Sequence, residues 1–370
     1  MSTLRAAVVS FRLGGTDGVA IEAAKWTWAL EQLGWRVTTV AGEGDADCLL
    51  PGLAIDAPKP PSGRDVAAAL GDADVVVVEN LCSLPLNPAA AAVVAEVLRG
   101  RPSVLHHHDL PWQRERFAGW PPPPDDPCWV HVTVNELSRR QLADIGITAT
   151  VVRNAFDTDA GPGRRSAVRQ ALEVGDTDVL VLQPTRAIPR KNVAGGIAVA
   201  RAVGGVYWLL GPAEEGYGPE LERLLAEAGV PVRHGAAPGE TRTAPEDAYS
   251  ACDVVALPST WEGFGNPSVE SAVYRRPLAI GPYPVAAELA AFGFRWFSSE
   301  HPEAVAGFLR EPDEQLLDHN REVARRHFSL SDLPRRLEPL LGALGFAANG
   351  APPGAGGAVP GQRGAVHGAQ

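Results

Sequence analysis

Lysine is almost missing from this chain. Lys25, Lys59 and Lys191 are the only three in 370 residues, so arginine carries nearly all the positive charge and each lysine is easier to weigh. A basic surplus is missing as well. The net charge of -11 excludes the broad electropositive surface of a nucleic-acid footprint, yet permits a local basic pocket for an anionic ligand. Cysteine is sparse: Cys48, Cys82, Cys128 and Cys252 form no CxxC and no metal-ligand spacing, and read as reduced cytosolic thiols. Long apolar runs are absent too. The opening AAVVSF is too short for a signal-peptide core and nothing reaches membrane-spanning length, so the expected location is the cytoplasm. The rest is an ordinary globular composition, 45% hydrophobic and 21% charged, with length enough for two domains.

Short β-branched runs alternate with helical stretches. AAVVSF leads through FRLGGTDG to a predicted helix over Val19–Leu33, followed by RVTTVAG. DVVVVEN (74–80), SVLHHHD (103–109), WVHVTVN (129–135) and TATVVRN (148–154) continue the cadence. Continuous apolar strands separated by helices predict a parallel sheet covered on both faces. The cadence stops at FDTDAGPGRR, a polar, Gly/Pro-containing linker. It restarts with DVLVLQPTR (178–186), GVYWLLG (205–211), DVVALPS (253–259) and PLAIGPY (277–283). The expected class is therefore α/β, with two Rossmann-like, doubly wound parallel-sheet domains facing a cleft. Ligands in such sheets bind beyond the carboxyl ends of the strands. Residues 347–370, rich in Gly, Ala and Pro, predict a disordered tail.

The stretch STWEGFGNPSVESA (259–272) sets two carboxylates, Glu262 and Glu270, with seven residues between them. It follows a buried strand. Asn266 suits an N-cap and Pro267 the first helical position, with the helix running to about Arg276. Exposed N–H groups and the helix dipole make that junction an anion site, and its glycines let backbone approach a ligand. On spacing alone, Glu270 complementing the helix dipole and Glu262 sitting in solvent explain the pair as well.

The wider context PSxxEGFGxPxxE resembles the retaining glycosyltransferases of GT-B fold, especially glycosyltransferase family 4. That resemblance implies a nucleotide-diphosphate sugar as donor. Glu262 would contact the donor sugar and Glu270 the ribose, while backbone from Gly263, Phe264, Gly265, Asn266, Pro267 and Ser268 would hold sugar and diphosphate. In PTRAIPRKN, Arg186 and Lys191 stand five apart after a strand. Such a pair is often a solvated basic loop; the resemblance makes it the clamp on the donor phosphates, with Arg190 the less suitable substitute. GGTDGV (14–19) fails the GxGxxG dinucleotide pattern and could be a plain βα turn. The resemblance aligns Gly18 with a cleft-facing turn that contacts the donor phosphate, and leaves Asp17 as an acceptor candidate.

Three histidines follow in SVLHHHD. Successive strand side chains point to opposite faces, so the three cannot all ligate one metal, although His106 and His108 could share a face. The resemblance selects His108, six residues after Pro102, as a catalytic residue near the donor sugar; Asp109 after it is an acceptor candidate, orienting His108 or meeting the acceptor. His106 and His107 are left to core packing and a rim hydrogen bond. HGAA (234–237), with Gly235, resembles the loop that reads the nucleotide base. WQRERFAGWPPPPDDPCW (112–129) is a rigid Pro-rich loop or part of an acceptor pocket, with Arg114 or Arg116 meeting an acidic group.

The resemblance divides the chain into an acceptor domain (1–155), a linker (156–165), a donor domain (166–328) and a helix crossing back (329–345). The expected activity is a retaining transfer of sugar to an acceptor hydroxyl, with no metal and no cofactor beyond the donor. A nucleotide-sugar epimerase and an inactive nucleotide-sugar-binding subunit are the alternatives; a nicotinamide dehydrogenase is weaker. Trp26 and Trp28 on the first helix lack an accompanying basic face, which favours a soluble acceptor over a membrane. Base, sugar, acceptor and oligomeric state stay open.

Overall fold

The Val-rich runs become the central strands of two parallel sheets in the computed structural model, which describes residues 3–15 and 17–346. The tail reading for 347–370 lies outside the described residues. The first sheet contains β1 (Arg5–Leu13), β2 (Arg36–Gly44), β3 (Cys48–Leu49), β4 (Val75–Glu79), β5 (Ser103–His107), β6 (Trp129–Thr133) and β7 (Ala149–Val151). Its order is β3-β2-β1-β4-β5-β6-β7. The second holds β8 (Leu180–Gln183), β9 (Val206–Leu209), β10 (Val232–His234), β11 (Val254–Leu257), β12 (Leu278–Ile280) and β13 (Phe297–Ser298), ordered β10-β9-β8-β11-β12-β13. Each order reverses once, between β1 and β4 and between β8 and β11. A crevice opens at such a reversal because the flanking connections leave toward opposite faces.

Alternation along each strand fills two cores. Val75 and Val77 of β4 pack on one face of the first sheet, and Val76 and Val78 on the other. Trp208 and Tyr207 of β9 split between the faces of the second in the same way. Both faces are buried, so neither sheet shows polar alternation in its central strands. β3, β10 and β13 had no separate strand signal, since two or three residues carry no readable period.

The last helix, Leu333–Ala343, packs on the first sheet. Leu333, Leu337, Leu340 and Leu341, spaced for one helical face, are buried with Trp26 and Trp35 of that core. Each buried leucine contributes about 1.5–3 kcal/mol, enough to anchor the return crossing. The chain is pinned where it crosses: Phe156 N–H donates to Phe328 O at 2.8 Å and Leu330 N–H to Phe156 O at 2.7 Å. No helix among the described residues is long and apolar enough to cross a membrane.

Candidate active site

The loop after β11 and the helix Asn266–Val273 form the second sheet's share of the cleft. The helix begins one residue earlier than the capping pattern suggested. Gly265, at φ 89°, is the N-cap, and Asn266 is already helical. Only glycine fits this N-cap, since a Cβ on Gly265 would lie 2.2 Å from the Tyr283 hydroxyl oxygen. Freed from capping, the Asn266 Oδ1 accepts from Asn154 Nδ2 at 2.8 Å, a bond to the segment after β7. The helix also stops at Val273, short of Arg276, where Arg275 turns to φ 54°.

Gly263 has a different task. A Cβ there would lie 2.4 Å from the carbonyl oxygen of His108, so only glycine lets this loop touch the end of β5. Asn135 Nδ2 donates to Gly263 O, and Phe156 packs against Phe264 with centroids 6.1 Å apart. Glu288 accepts from the Glu136 N–H and from Arg153 at 2.9 Å. The two sheets therefore meet at their ligand-binding ends.

Glu262 is buried between two cations. Lys191 Nζ donates to one carboxylate oxygen at 2.5 Å and Arg190 to the other at 3.1 Å. Burial alone would raise the Glu262 carboxyl, but the Lys191 and Arg190 charges outweigh it and hold it at about 2. Burial pulls the Lys191 ammonium down to about 8 against the Glu262 charge, with Arg190 and Arg186 pushing the same way. Arg186 is the outer cation of this group and is paired with Glu214. The Arg190 guanidinium, treated as a substitute on sequence grounds, is a direct partner of Glu262.

Glu270 sits one turn into the helix, set deep with part of its side chain open. Burial raises its carboxyl above the usual range, while a bond from the Tyr249 hydroxyl and the Lys25 charge oppose the rise. Gly235, just past β10, takes φ 89° and is held at both backbone groups, donating to Leu209 O and accepting from Trp208 Nε1, each at 2.9 Å. Gly18 opens the first helix, Gly18–Gln32. Asp17 caps it through the Val19 and Ala20 N–H groups and also accepts from Arg12 at 3.0 Å.

On the first sheet, the three histidines divide by face. His107 turns away to Ser83 and to His131, 2.9 Å off. His106 and His108 converge on Glu79, the last residue of β4 and wholly buried. His106 Nδ1 lies 2.9 Å and His108 Nε2 2.8 Å from the same Glu79 oxygen. Burial tends to raise the Glu79 carboxyl, but the two histidines hold it at about 2. Burial lowers His106; at His108 the Glu79 bond and charge overcome burial and raise it. The ligating atoms of this trio lie within 4.8 Å of one another, as a metal site would require. Their contacts are those of direct N–H···O bonds, which already satisfy the carboxylate.

Glu79 and Asn80 escaped the sequence reading. Their signal was a polar pair closing the apolar run VVVV at a strand's carboxyl end. Asn80, at φ 56°, turns its Oδ1 to accept from the His108 N–H at 3.1 Å. Asp109 pairs with Arg114 at 2.7 Å, whereas Arg116 stays exposed with its guanidinium 4.5 Å above Phe117. Lys191 and Glu262 are thus brought together, Arg114 joins Asp109, and Arg116 stands apart.

No family model matches the chain. Mannosylglucosylglycerate synthase from Thermotoga maritima is 25% identical, covering 91% of this chain and 99% of the relative. The enzyme of that name from Petrotoga mobilis is 24% identical over 89% of this chain and 94% of its own length. Among solved structures, Anabaena HepE in complex with UDP and glucose superposes with a TM-score of 0.69 at 17% identity, covering 92% of this chain and all of that one. Sucrose-phosphate synthase from Thermosynechococcus elongatus gives 0.68 at 14% identity, over 92% and 99%. The architecture is GT-B. Fold and relatives together support a glycosyltransferase.

Proposed function

We propose that the chain is a retaining, metal-independent glycosyltransferase that moves a sugar from a nucleotide diphosphate to an acceptor hydroxyl in the cytoplasm. The observation that carries this reading is the cationic group of Lys191, Arg190 and Arg186 around Glu262, at the switch point of the second sheet and beside the His108 end of the first. Negative charge grows on the diphosphate as the glycosidic bond breaks, and preorganised cations stabilise that charge more than they stabilise the intact donor. They do here what a divalent ion does elsewhere. Arriving donor hydroxyls and phosphates would compete for Glu262 and Lys191 and open the ion pair between them.

Retention needs either a covalent intermediate or attack on the face the diphosphate leaves. Glu262 is a poor nucleophile because two cations hold its charge. Glu270, in the family pattern, belongs to the ribose. Same-face attack through an oxocarbenium-like state is the scheme we favour. The relatives' name points to a mannosyl unit and to a small glycoside bearing a carboxylate, and Arg114 offers that carboxylate a cation. The test is transfer from nucleotide-activated mannose and glucose, with EDTA present, to glucosylglycerate and to its neutral glycerol analogue. Product of retained configuration is expected. Activity that disappears in EDTA and returns with manganese would end the metal-independent reading.

A further inference from the structure

The Glu79 carboxylate receives two imidazoles. We infer that Glu79 is a positioning residue that fixes His108 as its Nε2–H tautomer, so that Nδ1 is the ring atom left to meet the donor sugar. This rests on the proposed transferase reading. Glu79 ends β4 at the reversal of the first sheet, one strand from the β5 end that carries His108. It is fully buried, and an ionised carboxylate only accepts hydrogen bonds. Both rings must therefore reach it through N–H. His106 does so through Nδ1 and His108 through Nε2.

His106 has a mechanical part in this. Its ring lies tilted against Trp26, with centroids 4.3 Å apart, and against His108 at 4.4 Å, and its own Nε2 is buried without a partner among the described residues. It fills the space against Glu79 and leaves His108 one orientation. His108 keeps 9% of its side-chain surface, while Glu79 keeps none. Among the described residues its Nδ1 makes no hydrogen bond. The His108 carbonyl lies against Gly263, so the backbone of His108 touches the loop proposed to hold the donor. A carboxylate that holds one imidazole nitrogen and frees the other is the arrangement by which enzymes orient a working histidine.

The experiment is long-range 1H–15N correlation NMR on the full chain with labelled histidine, at a pH where His108 is neutral. His108 should show a protonated Nε2 and a bare Nδ1. Glu79→Gln keeps the shape, but its NH2 group can only donate and, in either oxygen position, faces the His106 Nδ1–H, which lies 3.1 Å from one carboxylate oxygen and 2.9 Å from the other. One ring of the pair should then change tautomer, with turnover down about 10–100-fold, the size of loss that follows when the partner orienting a metal-bound histidine is removed, and donor KM changed less. A wild-type His108 carrying its proton on Nδ1 would overturn the inference, even if Glu79→Gln does not fold. So would one equivalent of divalent metal whose removal shifts both rings. Transferase failure is separate: a chain that binds no nucleotide sugar could still show the tautomer change, whereas full transfer by Glu79→Gln would sink the positioning role alone.

Discussion

Glu79 and Glu262 are both buried at a sheet reversal and both are held at about 2, yet by different partners. Glu262 is held by Lys191 and Arg190, formal charges that a diphosphate can recruit. Glu79 is held by two histidines, one of which stays close to neutral. The same burial and the same low carboxyl value thus serve two ends. One carboxylate keeps cations poised, and the other aims hydrogen-bond donors. A depressed carboxyl marks a site without naming its task; the partners name it.

The sharpest way to break the comparison is to remove the charge at the second sheet. Lys191→Met keeps the stem and deletes the ammonium, and should cost about 10²–10³ in turnover with modest change in donor affinity. Lys191→Arg should rescue only partly, because a planar fork does not replace a compact ammonium. Lys59→Met serves as the surface control. Near-normal turnover of Lys191→Met would move the role to Arg190, which already touches Glu262.

Next come the two glutamates. Glu262→Ala should lower turnover by about 10²-fold, since it frees Lys191 and Arg190 from their geometry as well as losing a sugar contact. Glu270→Ala should raise donor KM more than it lowers turnover. Indistinguishable kinetic signatures from the two variants would reject this division.

The third contrast is in pH. Lys191 is pulled down to about 8, so its charge is lost as pH rises through that value. kcat/KM for donor should fall about tenfold per pH unit above it. The bound diphosphate favours the ammonium, so the fall in kcat should begin at higher pH. The limb should vanish in Lys191→Met. A flat kcat/KM profile to pH 9.5 would show that Lys191 is not the titrating cation.

The sheets were legible because buried parallel strands are written as unbroken β-branched runs, and DVVVVEN or DVVALPS can hardly be anything else. Lys191 and Glu262 were legible as members of a motif, though spacing could not pair them. Glu79 was not read, since one carboxylate after four valines has no local pattern. Its meaning depends on β5 lying beside β4, a contact between residues 27 and 29 positions apart. The N-cap shift from Asn266 to Gly265 was hidden for a like reason. Tyr283, which forbids a Cβ there, is 18 residues downstream of Gly265 and belongs to another loop.

The smallest expected effect concerns the two arginines of the Pro-rich segment, equivalent on sequence grounds and separated by the structure. Arg114 is mostly buried and bound to Asp109, whereas Arg116 is exposed over Phe117. A carboxylate on the acceptor would have to share the Arg114 guanidinium with Asp109, so the net gain is that of a partly solvated ion pair, about 1 kcal/mol or less. Arg114→Ala should therefore raise KM for an acidic acceptor about fivefold at most and leave a neutral analogue unchanged. Arg116→Ala should change neither. Because Asp109 loses its partner in Arg114→Ala, the variant Asp109→Asn with Arg114 intact is needed beside it. That variant frees the guanidinium and should lower KM for the acidic acceptor. Equal effects of Arg114→Ala on acidic and neutral acceptors would place Arg114 in loop packing and leave the carboxylate to another cation.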